Sequence, residues 1–130
     1  MRAFNGFCFL KITPLEKSEA KIQQEIGNWF INNYGLKHSE PKRIIFAIAN
    51  GGKRDLREAK SLKLQHVKAG IPDMQIILEN GRVVWVEVKT EKGVLSAVQK
   101  LVMQDIEDLG HHYLVVRSLE DFKNQIKKYL

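Results

Sequence analysis

Residues 70–89, which read GIPDMQIILENGRVVWVEVK, decide the fold of this chain. Two apolar segments, 74–78 and 82–88, flank the pair Asn80-Gly81. Apolar segments joined by Asn-Gly are the strongest local pattern for a β-hairpin, because the tightest hairpin turn needs a positive φ at both central residues. The stretch therefore predicts an antiparallel pair of strands that reverses at Asn80-Gly81.

Three ionisable side chains should meet at the open end of this hairpin. Asp73 stands at the start of the first strand, and Glu87 and Lys89 stand at the end of the second. Because side chains alternate across a strand, Glu87 and Lys89 share one face while Val86 and Val88 share the other. Two carboxylates and one ammonium group are therefore predicted to converge.

These side chains have the chemistry for metal-assisted hydrolysis of a phosphodiester. Carboxylate oxygens of Asp73 and Glu87, with the carbonyl oxygen of Val88, are the hard ligands that suit Mg²⁺ or Mn²⁺. Lys89 would orient the attacking water or stabilise the transition state. A purely structural Glu87–Lys89 pair is the alternative, although burying such a pair after an apolar run is costly.

The same residues resemble a known nuclease signature. Pro72-Asp73, a hairpin and then Glu87-Val88-Lys89 are similar to the PD-(D/E)xK pattern, and residues 67–73 (VKAGIPD) resemble its VRR-NUC branch. Further similar stretches lie on both sides of the hairpin, at residues 49–52 (ANGG), 93–99 (GVLSAVQ) and 109–110 (LG). The resemblance extends over about residues 19–118, which is most of the chain.

The resemblance implies both a fold and an activity. The fold would be α/β with a restriction-endonuclease-like PD-(D/E)xK core, in which a mixed sheet of about four strands is flanked by helices. The activity would be that of a DNA endonuclease that depends on Mg²⁺ or Mn²⁺ and cuts branched DNA such as four-way (Holliday) junctions, as a homodimer. A flap or nicked-end nuclease, or a DNA-binding module without turnover, are the alternatives.

Two more candidate site residues follow from the resemblance. The family carries a glutamate early in its first helix, and this chain has Glu19 shortly before Ile22-Gln23. Glu19 falls within the apolar stripe of that helix, so it is preferred over Glu25 as catalytic acid and metal ligand. The resemblance also implies a role for Gln99, which lies on the third helix and would help to position the water or the lysine. The alternative for Glu19 is an ordinary surface or N-terminal helix acid. The alternative for Gln99 is an amide that nearby backbone groups satisfy.

Basic residues near the glycine-rich loop form the candidate DNA-binding surface. The chain has a formal net charge of +6 and a pI near 9.5, which favours a polyanionic partner. Five cations surround this loop and the following segment: Lys53, Arg54, Arg57, Lys60 and Lys63. Interspersed acids leave open that these residues form only a solvated helix face. Nothing in the sequence resembles a base-reading motif, so recognition of shape and backbone is expected.

Length and composition are consistent with one small domain. The 130 residues, 44% of them hydrophobic, predict a single VRR-NUC-like domain over residues 1–130. Residues 1–14 would be an extra strand, a dimer arm or a frayed end. A lone cysteine, Cys8, excludes an internal disulfide and favours a reducing interior, so we expect the cytoplasm of a bacterial cell or phage-infected host. No apolar run approaches the length of a membrane span.

Local patterns predict the remaining elements. Ser18 and Ser118 are expected to cap the first and last helices, and Gly35 is expected to end the first. The predicted segments are a helix at 19–33, a buried strand at 43–49, a short helix at about 56–65, a helix that starts after Gly93-Val94 and runs to about 108, and a strand at 112–117.

Overall fold

The computed structural model describes residues 16–49 and 56–130 of the chain. Three predictions therefore lie outside the described residues. They are the dimer arm or extra strand at residues 1–14 and the DNA contacts of Lys53 and Arg54.

Four strands form one mixed sheet in the order β1-β2-β3-β4. Their bounds are Ile44–Ala47, Met74–Ile77, Val83–Val88 and His112–Val116. Strand β2 pairs antiparallel with both β1 and β3, whereas β4 lies parallel to β3. Parallel neighbours need a long crossover, and a helix between β3 and β4 provides it. The predicted four-stranded mixed sheet flanked by helices is confirmed.

The first and last helices begin directly after the predicted capping residues. In chain order their bounds are Glu19–Tyr34 (α1), Leu56–Leu64 (α2), Ala97–Asp108 (α3) and Leu119–Ile126 (α4), with short 3₁₀ turns at Glu79–Gly81 and Lys127–Tyr129. The hydroxyl of Ser18 accepts a hydrogen bond from the Lys21 amide, and Ser118 caps α4 in the same way. The N–H of Gly35 closes α1 on the Ile31 carbonyl. These caps satisfy amide and carbonyl groups that a helix end leaves unpaired.

Two predicted boundaries were too wide. Strand β1 covers Ile44–Ala47 of the predicted 43–49, and one further backbone bond, from the Ile48 amide to the Asp73 carbonyl at 2.8 Å, follows its end. Helix α3 begins at Ala97 rather than directly after Gly93-Val94. Ser96 sets that start, since its hydroxyl accepts from the Gln99 amide.

One face of the sheet packs against α1 and α4 and forms the core. Side chains at alternating positions of β2, β3 and β4 point to this face, as the period of a strand requires. The buried cluster comprises Ile22, Ile26, Phe30, Ile45, Met74, Ile76, Leu78, Val84, Val86, Val88, Leu114, Val116, Phe122 and Ile126. Because Val86 and Val88 are in this cluster, Glu87 must point to the opposite face.

The turn at Asn80-Gly81 has the conformation that the sequence predicts. Asn80 has φ 62° and Gly81 has φ 70°, so both lie in the left-handed region. Asparagine and glycine are the residues that adopt this conformation at least cost. Below the turn, the carboxylate of Glu79 accepts from Arg43 at 3.2 Å and from Arg82 at 2.8 Å. The hairpin is thereby tied to the chain that enters β1.

Within residues 16–49 and 56–130, no helix combines the length and apolarity that crossing a bilayer demands.

Candidate active site

The register of β2 and β3 places Asp73 and Glu87 side by side. Met74 pairs with Val86, so the preceding Asp73 lies across from Glu87. Oδ2 of Asp73 accepts a hydrogen bond from the backbone amide of Val88 at 2.8 Å. The carboxylate thus takes the place of a backbone acceptor where β2 begins, which holds the acid against the end of β3.

Glu87 is an acid in an environment that opposes its ionisation. Its side chain is 2% exposed, and Oε1 has no hydrogen-bond partner among the described residues. Burial, followed by a hydrogen bond with the Asp73 carboxyl and the charge of Asp73, raises the pKa of Glu87 to about 9. Such a buried, crowded acid is what a bound cation would stabilise as the carboxylate.

Lys89 completes the predicted cluster. Its side chain is half-buried, and its backbone amide donates to the Val116 carbonyl at 2.9 Å, which fixes it to β4. The ammonium charge lowers the pKa of Glu87, against the larger upward effects of burial and Asp73. The structure therefore brings Asp73, Glu87 and Lys89 together at one end of the hairpin.

The carbonyl group of Val88 is directed toward the same place. In a strand the N–H and C=O of one residue point to the same neighbour. Since the amide of Val88 donates to Asp73, its carbonyl oxygen also faces the Asp73 side of β3. The donor set at this point is two carboxylates and one backbone carbonyl.

The two acids of α1 have different surroundings. Glu19 is exposed in the first turn, and its charge raises the pKa of Glu87. Glu25 instead pairs with Lys17 at 2.9 Å. Glu19 is therefore the acid of α1 that acts on the site electrostatically. In the described part of the chain, no three acidic, histidine or cysteine side chains come close enough to hold one metal ion, so Glu19 is not grouped with Asp73 and Glu87 as a direct ligand.

Gln99 has a local partner. Its side-chain Oε1 accepts from the backbone amide of Ser96 at 2.9 Å, while the backbone amide of Gln99 donates to the Ser96 hydroxyl at 3.1 Å. This reciprocal pair is a capping box, which satisfies two amides at the start of α3. The side chain is half-buried and accepts at the start of α3, and its role in positioning the water or Lys89 stays a prediction.

Helix α2 carries three of the predicted DNA-binding cations. Arg57, Lys60 and Lys63 are exposed and three residues apart, so they lie within about 120° of the helix circumference. The segment that contains α2 starts and ends at the site, because Ile48 donates to the carbonyl of Asp73. These cations are thus on a connection that is anchored beside the acids.

Sequence reasoning missed two side chains, Tyr113 in β4 and Arg117 directly after it. Nη1 of Arg117 donates to the carbonyl groups of Thr90, Glu91 and Gly93 at 2.7, 3.1 and 2.6 Å, and so holds the loop that follows Lys89. Tyr113 pairs with Trp85 in the strand register, and its buried hydroxyl has no partner among the described residues. A parallel register between distant segments is needed to place either residue, and no local pattern encodes it.

Comparison with known proteins agrees with this geometry. The profile of the VRR-NUC domain matches residues 14–120. A solved structure described as "VRR_NUC domain protein" has a TM-score of 0.68 at 21% identity and covers 88% of each chain. A second, described as "VRR_NUC domain", has a TM-score of 0.61 at 18% identity and covers 86% of this chain and 97% of the other. No curated protein matches significantly. Because the profile spans most of the sequence, the chain belongs to the VRR-NUC family.

Proposed function

We propose that this protein is a metal-dependent, structure-specific DNA endonuclease that cuts phosphodiester bonds in branched DNA. Membership of a nuclease family makes the coarser function, a nuclease domain, the starting point. One observation carries the proposal beyond that point: Glu87 is buried beside Asp73 and Lys89 with one carboxylate oxygen unpaired among the described residues.

The residues present fit a divalent cation. The unpaired Oε1 of Glu87, the Asp73 carboxylate and the Val88 carbonyl are all hard oxygen donors, which is the set that Mg²⁺ and Mn²⁺ prefer. Since Mg²⁺ keeps several water molecules, a donor set of this size is sufficient. A bound cation would lower the pKa of a coordinated water and neutralise charge on the phosphate.

Side chains of the protein would hold the cation, orient the attacking water and stabilise the charge on the phosphate. Asp73 and Glu87 would hold the cation, and the amide of Val88 fixes the orientation of Asp73. The ammonium group of Lys89, half-buried beside Glu87, would orient the attacking water or stabilise the extra charge on the phosphorane. Glu19 would act through its charge, and Gln99 would support the start of α3.

Charge supports DNA as the substrate, and the resemblance supports a branched one. The formal charge of +6 and the exposed cations of α2 provide phosphate contacts without a base-reading element. Resolution of a four-way junction requires two paired cuts, and a two-fold homodimer supplies two sites in the required symmetry.

The test is cleavage of end-labelled four-way junction, flap and plain duplex DNA with Mg²⁺, Mn²⁺ or EDTA. We expect metal-dependent cleavage of the junction by the wild type and none by Asp73→Asn or Lys89→Ala, while junction binding by both variants stays within a few fold. The matched controls are Asp105→Asn and Lys127→Ala, which change exposed residues outside the site and should cut normally.

Each alternative has its own result. Preferred cleavage of the flap would keep the site and change the substrate. Binding that is independent of metal, with no cleavage by the wild type, would favour a DNA-binding module. Full activity of Asp73→Asn would remove the site assignment.

A further inference from the structure

The face of the sheet that carries Glu87 also carries a buried tyrosine hydroxyl. In the parallel register, Trp85 lies beside Tyr113 and Glu87 lies beside Val115. Tyr113 is therefore the diagonal neighbour of Glu87 on the same face, a spacing that an aromatic side chain and a glutamate can bridge. Tyr113 is thus placed to act on Glu87 from the adjacent strand.

Both groups have an unmet requirement for hydrogen bonding. Among the described residues, the buried side-chain atoms without a partner are Oε1 of Glu87 and Oη of Tyr113. A buried polar atom without a partner costs free energy, so a folded protein normally satisfies it directly or through an ordered water. A phenol is a good donor and a carboxylate oxygen is an acceptor, so the two atoms are complementary.

Electrostatics also connect the two side chains. Burial raises the pKa of the Tyr113 hydroxyl above its ordinary range, and the nearby charges of Glu87, Asp73 and Glu107 raise it further. An ordinary phenol carries its proton at neutral pH and is a hydrogen-bond donor. Glu107, on α3, is the acid outside the Asp73–Glu87 pair that acts on this hydroxyl, and it is exposed to solvent.

We propose that Tyr113 is a positioning residue for Glu87: its hydroxyl donates through one bound water to Oε1 and holds the carboxyl group in the orientation that faces Asp73. A hydrogen-bond donor behind a carboxylate ligand sets the direction of its free oxygens, and the loss of such a partner typically weakens metal binding by about 10–100-fold. The effect on metal binding rests on the proposed function, whereas the water-mediated hydrogen bond between Tyr113 and Glu87 forms without metal or DNA.

The first test is a double-mutant cycle on thermal stability in EDTA. Tyr113→Phe removes only the hydroxyl, and Glu87→Leu removes the acceptor at similar size. We expect Tyr113→Phe to lower Tm by about 3–5 °C in the wild type, the shift for one lost hydrogen bond in a domain of this size. In the Glu87→Leu background it should leave Tm unchanged or raise it. Equal shifts in both backgrounds would overturn the proposal.

Glu107 provides the competing partner. If the hydroxyl served Glu107, the loss of stability in Tyr113→Phe would persist with Glu87→Leu and disappear with Glu107→Leu. That pattern overturns the assignment to Glu87, whereas the reverse pattern supports it. The double-mutant cycle in EDTA tests the Tyr113–Glu87 hydrogen bond even if the wild type cuts no DNA. A failure of the proposed nuclease function can therefore be told apart from a failure of this proposal.

The second readout is Mn²⁺ affinity, measured by titration calorimetry without DNA. We expect Tyr113→Phe to bind Mn²⁺ about 10-fold more weakly. In the cleavage assay kcat should fall with KM for the junction unchanged. Tyr34→Phe, which changes a tyrosine packed against Trp29 and Phe30, is the matched control and should retain wild-type affinity. Wild-type Mn²⁺ affinity in Tyr113→Phe would overturn a positioning role.

Discussion

Glu87 is held in the fold by backbone pairing rather than by favourable surroundings of its carboxyl group. Strand β3 pairs with β4 at Glu87 and Val88 and with β2 as far as Val86, and Val86 and Val88 are buried in the core. The side chain must therefore occupy the opposite face, beside Asp73 and with one oxygen unpaired among the described residues. Cation sites use such acids, because the charge of the cation offsets the cost of burying an unpaired carboxylate.

The stability of the metal-free protein should therefore fall as pH rises. Burial and Asp73 raise the pKa of Glu87 to about 9 from an unfolded value of 4.5. Between these values the native state binds more protons than the unfolded state, so stability present below about pH 4.5 is lost by about pH 9, at up to about 1.4 kcal/mol per pH unit. Urea unfolding in EDTA from pH 5 to pH 9 measures this decline.

Glu87→Gln should flatten that decline, because the amide stays neutral at every pH. The exposed acid Glu107 supplies the control, since Glu107→Gln should leave the decline unchanged. A wild-type protein whose unfolding free energy is constant from pH 5 to pH 9 would contradict the prediction.

Arg117 should stabilise the loop that follows Lys89. Its guanidinium donates to three carbonyl groups of residues 90–93, bonds that an unbranched apolar side chain cannot make. We expect Arg117→Met to lower the unfolding free energy by about 2 kcal/mol and to reduce the rate of cleavage, since Lys89 directly precedes the loop. Urea unfolding and single-turnover cleavage measure the two effects. Unchanged values for both would mean that the loop is held by other contacts.

At the scale of elements, the hairpin was predictable and its partners were not. Period-two alternation and Asn80-Gly81 specify the register locally, so the prediction that Asp73 lies near Glu87 and Lys89 needed no tertiary information. The contribution of β4 depends on a parallel pairing between distant segments. Gln99 was placed on the correct helix, but its capping role depends on the exact start of α3 at Ser96, which apolar periodicity does not define.

The turn end of the hairpin, where Glu79 lies, should make stability sensitive to acid. A hydrogen bond from Arg43, which is 8% exposed, lowers the pKa of Glu79 to about 2, together with a backbone hydrogen bond and the charge of Arg82. Stability from this network is therefore present above about pH 4.5 and is lost as pH falls toward 2. Glu79→Gln should lower the urea midpoint at pH 7, with a smaller difference at pH 3. An equal difference at both values would show that the charge of Glu79 contributes nothing.

Helix α2 should provide salt-sensitive contacts to DNA phosphates. Alanine at Arg57, Lys60 and Lys63 should weaken junction binding and reduce the slope of log affinity against log salt by about 1 for each lost contact. The comparison variant replaces Lys123, Lys127 and Lys128, which lie at the C-terminal end of the chain. Fluorescence anisotropy at several salt concentrations measures the slope. The same slope in both triple variants would exclude α2 as the specific phosphate surface.

At the scale of the whole molecule, the described part of the chain has one cluster of Asp73, Glu87 and Lys89, and the proposed action on a junction depends on that count. A four-way junction is resolved only when two strands of like polarity are cut at symmetric positions. A monomer would make these cuts in separate encounters, whereas a two-fold dimer holds both sites on the junction at once. We therefore expect light scattering to give the mass of a dimer at micromolar concentration.

A supercoiled plasmid that extrudes a cruciform distinguishes paired from separate cuts. A dimer that cuts both strands within one encounter converts the supercoiled plasmid directly to the linear form, while independent cuts accumulate nicked circles. A mixed dimer with one wild-type and one Asp73→Asn protomer should produce nicked circles at about half the normal rate of strand cleavage, since each cluster is built within one chain. Monomeric mass, or nicked circles as the main early product of the wild type, would contradict a paired mechanism. Linear product from the mixed dimer would instead show that Asp73 is dispensable for the cut.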